Sequence, residues 1–279
     1  MILITGATGT VGHETTRLAR EAGYPVAAVT RNPAAELPEG ARVVVADPSR
    51  PDSLAAALDG VEAILLAPRA VGDAAAALLR AAAERGTPRV VLLSAITVEY
   101  GGGYQRFADM FRELEQNVRD SGLPWTFLRC ADFAANTLGW APGIRAAGIV
   151  RGAYGDAATA SIHERDIAEI ALRALTDSAH EGRAYALTGP QALSQRDKAK
   201  LIGEAIGRDV TFSEIEPEEV RADLLARGVP ADVPDRLLGY QRACLEQPGP
   251  TTAVVEQVLG RPALSFSQWA ADHAAAFRN

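Results

Sequence analysis

The sequence predicts an α/β fold: a doubly wound parallel sheet, with a smaller and mostly helical lobe towards the C-terminus. Three observations predict it. Short, almost entirely apolar runs alternate with amphipathic stretches through the first half of the 279 residues. A glycine-rich turn joins the first run to the first amphipathic stretch, and the alternation loosens after Leu128.

Taken in order, the expected strands are Ile2–Thr5, Val26–Thr30, Arg42–Ala46, Ala63–Ala67, Val90–Ser94 and Trp125–Leu128. Each is a short run of the kind that a sheet covered on both faces requires. Helices are expected over Val11–Ala22, Pro51–Leu58, Gly72–Arg85 and Phe107–Ser121. Gly23, Gly86 and Gly122 fall just past such runs, where a left-handed cap is common. Strand, helix and strand repeated in this way read as a parallel sheet flanked by helices. From Arg129 to Gly155 the composition suggests loops and short helices. Ser161–Leu175 reads as a helix and Arg183–Leu187 as a strand returning to the sheet. From Ser194 onward the chain reads as mostly helical, broken at Gly207, Gly228 and Gln247–Pro250. The expected domains are therefore residues 1–135, with 161–189 returning to them, and a lobe of 136–160 and 190–279 for a substrate or partner.

The turn Gly6-Ala7-Thr8-Gly9-Thr10-Val11-Gly12 carries the strongest chemical signal. A strand, a glycine turn and a helix in that order aim unpaired backbone N–H groups and the positive end of a helix dipole at one point, which suits a pyrophosphate. Gly6 permits the turn, Gly9 lets a phosphate approach, and Gly12 lets helix and strand pack closely. This is the context of a Rossmann-like dinucleotide site. The second strand ends in Thr30-Arg31-Asn32 without the acid that would bind the ribose 2′-hydroxyl of NAD; Arg31 suits the 2′-phosphate of NADP(H). Asp47, after the third strand, either meets the adenine or caps the helix near Pro51. Ala67 and Pro68 end the fourth strand and Ser94 the fifth, at the carboxyl edge where ligands of such sheets collect.

MILITGATGTVG, the TRNP turn, SGLPWTFLR followed by Asn136, DIAEIALRAL and YALTGP together resemble the NmrA-like branch of atypical short-chain dehydrogenase/reductases. The resemblance spans essentially the whole chain and weakens after Pro190. It implies a domain binding NADP(H) and a smaller lobe closing a cleft. It places Thr8, Gly9, Thr10 and Val11 along the pyrophosphate and Arg31 at the 2′-phosphate. It also brings Ala67 and Pro68 to the adenosine side, and Ala131 and Phe133 to the nicotinamide.

One departure bears on mechanism. Ordinary short-chain reductases use a Tyr-x-x-x-Lys pair whose lysine lowers the tyrosine pKa. Here Tyr100 is followed by Tyr104, Tyr104 by Ala108, and no lysine lies among residues 1–197. Two functions follow. One is an NADPH-dependent oxidoreductase reducing a quinone, enone or similar conjugated acceptor, with Tyr100 or Tyr104 as the candidate catalytic groups and Trp140, Tyr154 and His163 in the substrate pocket. The other is a non-catalytic NADP(H) sensor acting through a protein partner. Both tyrosines also have a plain reading, as residues flanking the tight Gly101-Gly102-Gly103 connection. His163 reads more readily as a surface residue at a helix start, Cys130 as a small core residue, and Glu115 as a local partner of Arg112 or Arg119.

Composition narrows the field. A net charge of −7 supplies no field for nucleic acid. Two distant cysteines and four scattered histidines give neither a disulfide framework nor metal-ligand spacing, which suits a cytoplasmic protein without a metal. The alanine-rich run Ala74–Ala83 contains Arg80 and is too short for a membrane span. Nearly all the basic residues are arginine, since Lys198 and Lys200 are the only lysines.

Overall fold

The computed structural model describes residues 1–278. The chain divides into two compact units. The first comprises Met1–Val98, Asp109–Cys130 and Glu164–Ala186; the second comprises Glu99–Ala108, Ala131–His163 and the chain from Leu187 onward.

In the first unit the chain runs through β1 (Ile2–Ile4), α1 (Thr10–Glu21), β2 (Val26–Thr30), β3 (Arg42–Val45), a 3-10 segment at Pro51–Ala57 and β4 (Ala63–Leu66). It continues through α2 (Pro68–Val71), α3 (Ala75–Ala83), β5 (Arg89–Ala95) and β6 (Trp125–Cys130), while α4 (Thr97–Tyr100) and α5 (Gln105–Asp120), which precede β6, each have residues in both units. The sheet order is β3-β2-β1-β4-β5-β6, with the strand Arg183–Leu187 added beyond β6. The first six strands are parallel, and Ile2 stands opposite Val26 on one side and Ala63 on the other. Between β1 and β4 the winding reverses, which in such sheets is where a ligand crevice opens.

Because successive side chains in a strand point to opposite faces, Leu3, Val29, Ile64, Leu92 and Phe127 share one face and pack with Leu54, Leu78, Leu79 and Val118. The alternate residues meet α1 and the helix Glu164–Thr176, which pack against each other. In α1, Val11, Thr15 and Ala19 recur every fourth residue and are buried, and Gly23 ends the helix with φ +83°.

Several expectations are corrected. The helix expected over Gly72–Arg85 is interrupted: Pro68 starts a helix early, Gly72 stops it at φ +51°, and α3 begins only at Ala75. The helix expected from Ser161 begins at Glu164, because Ile162 is extended and bridges to Phe133. β3 is an edge strand with one open face, so Val43 and Val45 are 47% and 57% exposed rather than covered.

The second unit is mainly helical, around a core of Ile144, Val210, Ile202, Phe266, Trp269 and Phe277. Reading Arg129–Gly155 as loops and short helices misses the strand Ile149–Gly152, which pairs in parallel with Thr211–Glu214. Both are four-residue strands with mostly exposed side chains, too little apolar alternation to announce a strand. A second ribbon pairs Ala158–Thr159 with Leu193–Ser194. The helix Gln195–Ile206 starts at a capping box in which Ser194 and Asp197 satisfy each other's backbone N–H. Among the described residues, no helix is long and apolar enough to cross a membrane.

Candidate functional site

At the carboxyl end of β1 the backbone turns sharply at Gly6, whose φ of +66° disfavours any side chain. The Gly9 N–H donates to the Gly6 carbonyl at 2.9 Å, closing the turn. A Cβ on Gly12 would lie 2.3 Å from the Gly6 carbonyl oxygen and 2.9 Å from its carbon, so α1 rests directly on the turn and admits only glycine there. The Thr5 hydroxyl donates to the Leu65 carbonyl and accepts from the Ala67 N–H, both at 2.8 Å, tying the tips of β1 and β4 together. Gly9 stands at the N-cap of α1, which has no side-chain cap and no acid in its first turn. Its first amides and its dipole are available to an anion, and Thr8, Gly9 and Thr10 are exposed around them. Val11 is buried in the core, so only its backbone can face a phosphate.

At the tip of β2 a pocket of about 500 Å³ is lined by Thr8, Thr30, Arg31, Asn32, Ala35 and Glu36. It joins the glycine turn to the arginine the sequence singles out. Asn32 is used locally: its N–H donates to Thr30 Oγ1 and its Oδ1 accepts from the Ala34 N–H, both at 3.0 Å. Arg31 is the cation of this pocket and Glu36 its anion. These residues fit a dinucleotide: a cradle that a Cβ would fill, a helix start with no side-chain cap, and an arginine in the pocket at the tip of β2.

Other sequence candidates sit differently. Asp47 is half-buried and folds onto its own loop, its Oδ1 accepting from the Ser49 N–H at 3.1 Å and the Ser49 hydroxyl at 2.7 Å. Those bonds hold its carboxyl below the usual range. It does not cap the segment at Pro51, where Arg50 occupies the capping position. Ala67 and Pro68 are half-buried, with Ala67 Cβ closely facing Gly6.

Ser94 does not open to a ligand. Its hydroxyl donates to Glu115 Oε1 at 2.7 Å, inside a buried network. Glu115, 1% exposed, receives Arg129 from β6 in a two-pronged ion pair at 2.9 and 2.8 Å, while Arg119 approaches at 3.4 Å. Arg112 pairs with Asp109 instead. The principal partner of Glu115 is therefore on a strand, beyond the reach of helical spacing rules.

In the second unit, Tyr100 is 51% exposed, and partial burial and the neighbouring Glu99 push its phenol upward, opposite to the activation a proton-exchanging tyrosine needs. Tyr104 is half-buried. Gly103, between them, has φ +68°, and a Cβ there would lie 2.1 Å from the Gly239 carbonyl; the glycine run serves a close approach to the helix Asp232–Glu246. Ala131 is buried, and Phe133 pairs through its backbone with Ile162. Trp140 packs on the helical core. Tyr154 adopts φ +57°, and its carbonyl accepts from Gln195 Nε2 at 2.9 Å. His163 is buried rather than on the surface, with Nε2 3.4 Å from Asp272 Oδ2. Cys130 is buried, and that burial pushes its thiol far up.

Sequence reasoning overlooked one cluster. Lys198 is almost fully buried and donates to the hydroxyls of Thr159 and Ser161, with Asp132 Oδ2 at 3.6 Å. The one available signal was a lysine in an arginine-rich chain, yet Lys200 shares that rarity and is an ordinary exposed helix partner of Glu204. Among the described residues, no group of three or more His, Cys, Asp and Glu could hold a metal.

A parallel sheet in this order, with such a glycine turn at its switch point, defines a Rossmann-type dinucleotide-binding protein. A family model described as NAD(P)H-binding matches residues 6–178. The chain is 40% identical, over 99% of both chains, to a "(4-alkanoyl-5-oxo-2,5-dihydrofuran-3-yl)methyl phosphate reductase" of Streptomyces griseus. It is 35% identical, again over 99% of both, to an NAD(P)H azoreductase of Xenophilus azovorans. The crystal structure of an NADPH-dependent quinone oxidoreductase of Escherichia coli complexed with NADPH superimposes with a TM-score of 0.78 and 27% identity, covering 98% of this chain and 99% of that one. The chain belongs to the NAD(P)H-binding family, in its NmrA-like, atypical short-chain dehydrogenase/reductase branch.

Proposed function

We propose that this chain is an NADPH-dependent reductase of small, electron-poor conjugated molecules. The observation that carries this reading is the chemistry shared by its full-length relatives. An acyl dihydrofuranone, an azo compound and a quinone each present a π bond joined to electron-withdrawing groups. Such an acceptor takes hydride without a lysine-activated tyrosine polarising a carbonyl, in keeping with the missing Tyr-x-x-x-Lys pair.

Gly6, Gly9 and Gly12 shape the cradle, and the amides of Thr8 to Val11 hold the pyrophosphate. Arg31 binds the 2′-phosphate, which favours NADPH over NADH. NADPH, when bound, supplies the hydride. Ala67 and Pro68, small and half-buried, leave room for the dinucleotide at the sheet edge.

The test is consumption of NADPH by the purified protein across quinones, butenolides, enones and azo dyes. Turnover of at least one class is expected. Tight NADPH binding with no turnover in any class overturns the reading and favours the regulator that signals cofactor state.

A further inference from the structure

The pocket at the tip of β2 holds two opposite charges, and the chain folds back on itself to bring them there. Thr30 is buried and ends the strand. Beyond it the Ala35 N–H donates to the Asn32 carbonyl at 3.1 Å, closing a turn with Pro33 at its second position, where the proline ring presets the backbone. The Asn32 Oδ1 accepts from the Ala34 N–H inside that turn, and the Asn32 N–H anchors it to Thr30 Oγ1, both at 3.0 Å. Glu36 follows directly after the turn and so lines the same cavity of about 500 Å³ as Arg31.

Among the lining residues Arg31 is the one cation and Glu36 the one anion. Both are exposed, and neither has an ion-pair partner among the described residues. Asp47, whose carboxylate also feels Arg31, is spent on Ser49 and does not line the cavity. The charge of Glu36 is therefore left to whatever enters.

The two charges select for different ligands. A guanidinium offers paired N–H donors and suits a phosphate. A carboxylate only accepts, and the neighbouring hydroxyls of a ribose can both donate to it. Beside a phosphate the same carboxylate is a like charge and repels it at close range. Holding both in one cavity narrows the difference in affinity between a ribose bearing a 2′-phosphate and a ribose bearing a free 2′-hydroxyl.

We propose that Glu36 is a specificity-determining residue. It accepts hydrogen bonds from the ribose hydroxyls of NADH and repels the 2′-phosphate of NADPH, so that the chain takes both cofactors with a modest preference for NADPH. This deepens the cofactor reading above and rests on Arg31 as the group that binds the 2′-phosphate.

The test is the Kd of each cofactor, measured by fluorescence titration of the full chain at low ionic strength, where exposed charges are least screened. The parent should bind NADPH and NADH within about tenfold of each other. Glu36→Gln keeps the shape of the side chain and removes its charge. It should tighten NADPH about three- to tenfold and weaken NADH by a similar factor, the difference between a charged and a neutral hydrogen bond. Those opposite signs separate the effect from damage to the fold, which weakens both. Glu39→Gln is the control: Glu39 is exposed in the same loop but does not line the cavity, and its loss should move neither Kd by more than about twofold. A parent that prefers NADPH by more than about a hundredfold, shifts of the same sign in both cofactors, no shift, or an equal response to Glu39→Gln overturns the proposal. Arg31→Ala is titrated alongside. If it weakens NADPH selectively while Glu36→Gln moves neither cofactor, the arginine reading stands and the proposal fails. If Glu36→Gln gives the opposite signs while Arg31→Ala weakens both cofactors equally, Glu36 stands and the arginine reading fails.

Discussion

Replacing Gly12 by alanine tests the cradle most directly. A methyl group there would sit 2.3 Å from the Gly6 carbonyl oxygen, 2.9 Å from its carbon and 3.2 Å from Ala7 Cα, all backbone atoms that no rotamer change can move. Bringing the closest pair to ordinary contact requires the N-terminus of α1 to withdraw by about 1 Å. Overpacking of this kind costs about 1–3 kcal/mol. At about 2 °C per kcal/mol for a chain of this size, Tm should fall by about 2–6 °C. The same withdrawal moves the helix amides from the position a pyrophosphate would occupy. Losing one or two charge-assisted hydrogen bonds, at about 1.5–3 kcal/mol each, should raise the Kd for NADPH at least about tenfold. Differential scanning fluorimetry and fluorescence titration with NADPH measure the two effects. Gly139→Ala is the control, since its Cβ would meet nothing within 4 Å. A Gly12→Ala protein that binds NADPH within about twofold of the parent would refute the argument that this contact shapes the phosphate site.

Three further outcomes are expected. Arg31→Ala should weaken NADPH by about tenfold or more and NADH little, measured by titrating both; equal losses would remove the arginine from the 2′-phosphate. Glu115→Ala strands the guanidinium of Arg129 and should cost about 3 kcal/mol in urea unfolding, whereas a loss below about 0.5 kcal/mol would show that the network carries little stability. Burial raises the Cys244 thiol to about 11 from an ordinary 9.0, and raises Cys130 further. The folded chain then keeps protons that the unfolded chain releases, so this contribution is fully present below about pH 9 and is lost as pH rises towards the folded values. Tm should therefore decline on the alkaline side, and Cys130→Ala/Cys244→Ala should flatten that limb; an unchanged slope would count against it.

How legible the molecule was in its sequence depended on how local the physics was. The strands and α1 showed themselves because burial on both faces forces apolar runs, and because Gly6 and Gly12 are required by backbone geometry within seven residues of each other. Arg31 was legible for the same reason, as one side chain at a strand tip beside the glycine turn. Ser94 misled because its position at the strand end is local, but the partner that claims its hydroxyl, Glu115, is 21 residues away. The Asp132–Lys198 cluster was invisible in sequence: Thr159 is 39 residues from Lys198, and no spacing rule joins them. His163 was misplaced because the partner of its ring, Asp272, lies 109 residues further on.

The interleaving of the two units has a consequence for synthesis. The sheet acquires its last strand only at Arg183–Leu187, after the chain has passed through residues 131–163 of the other unit. On a ribosome the first six strands emerge well before the seventh, so β6 presents an unpaired edge to its surroundings until that strand arrives. A truncation after β6 would preserve that edge permanently, and such a fragment should self-associate rather than stay monomeric. The nascent chain is therefore most exposed to misassembly in the interval between the emergence of Cys130 and that of Leu187, a window set by the order of the gene rather than by the strength of any contact.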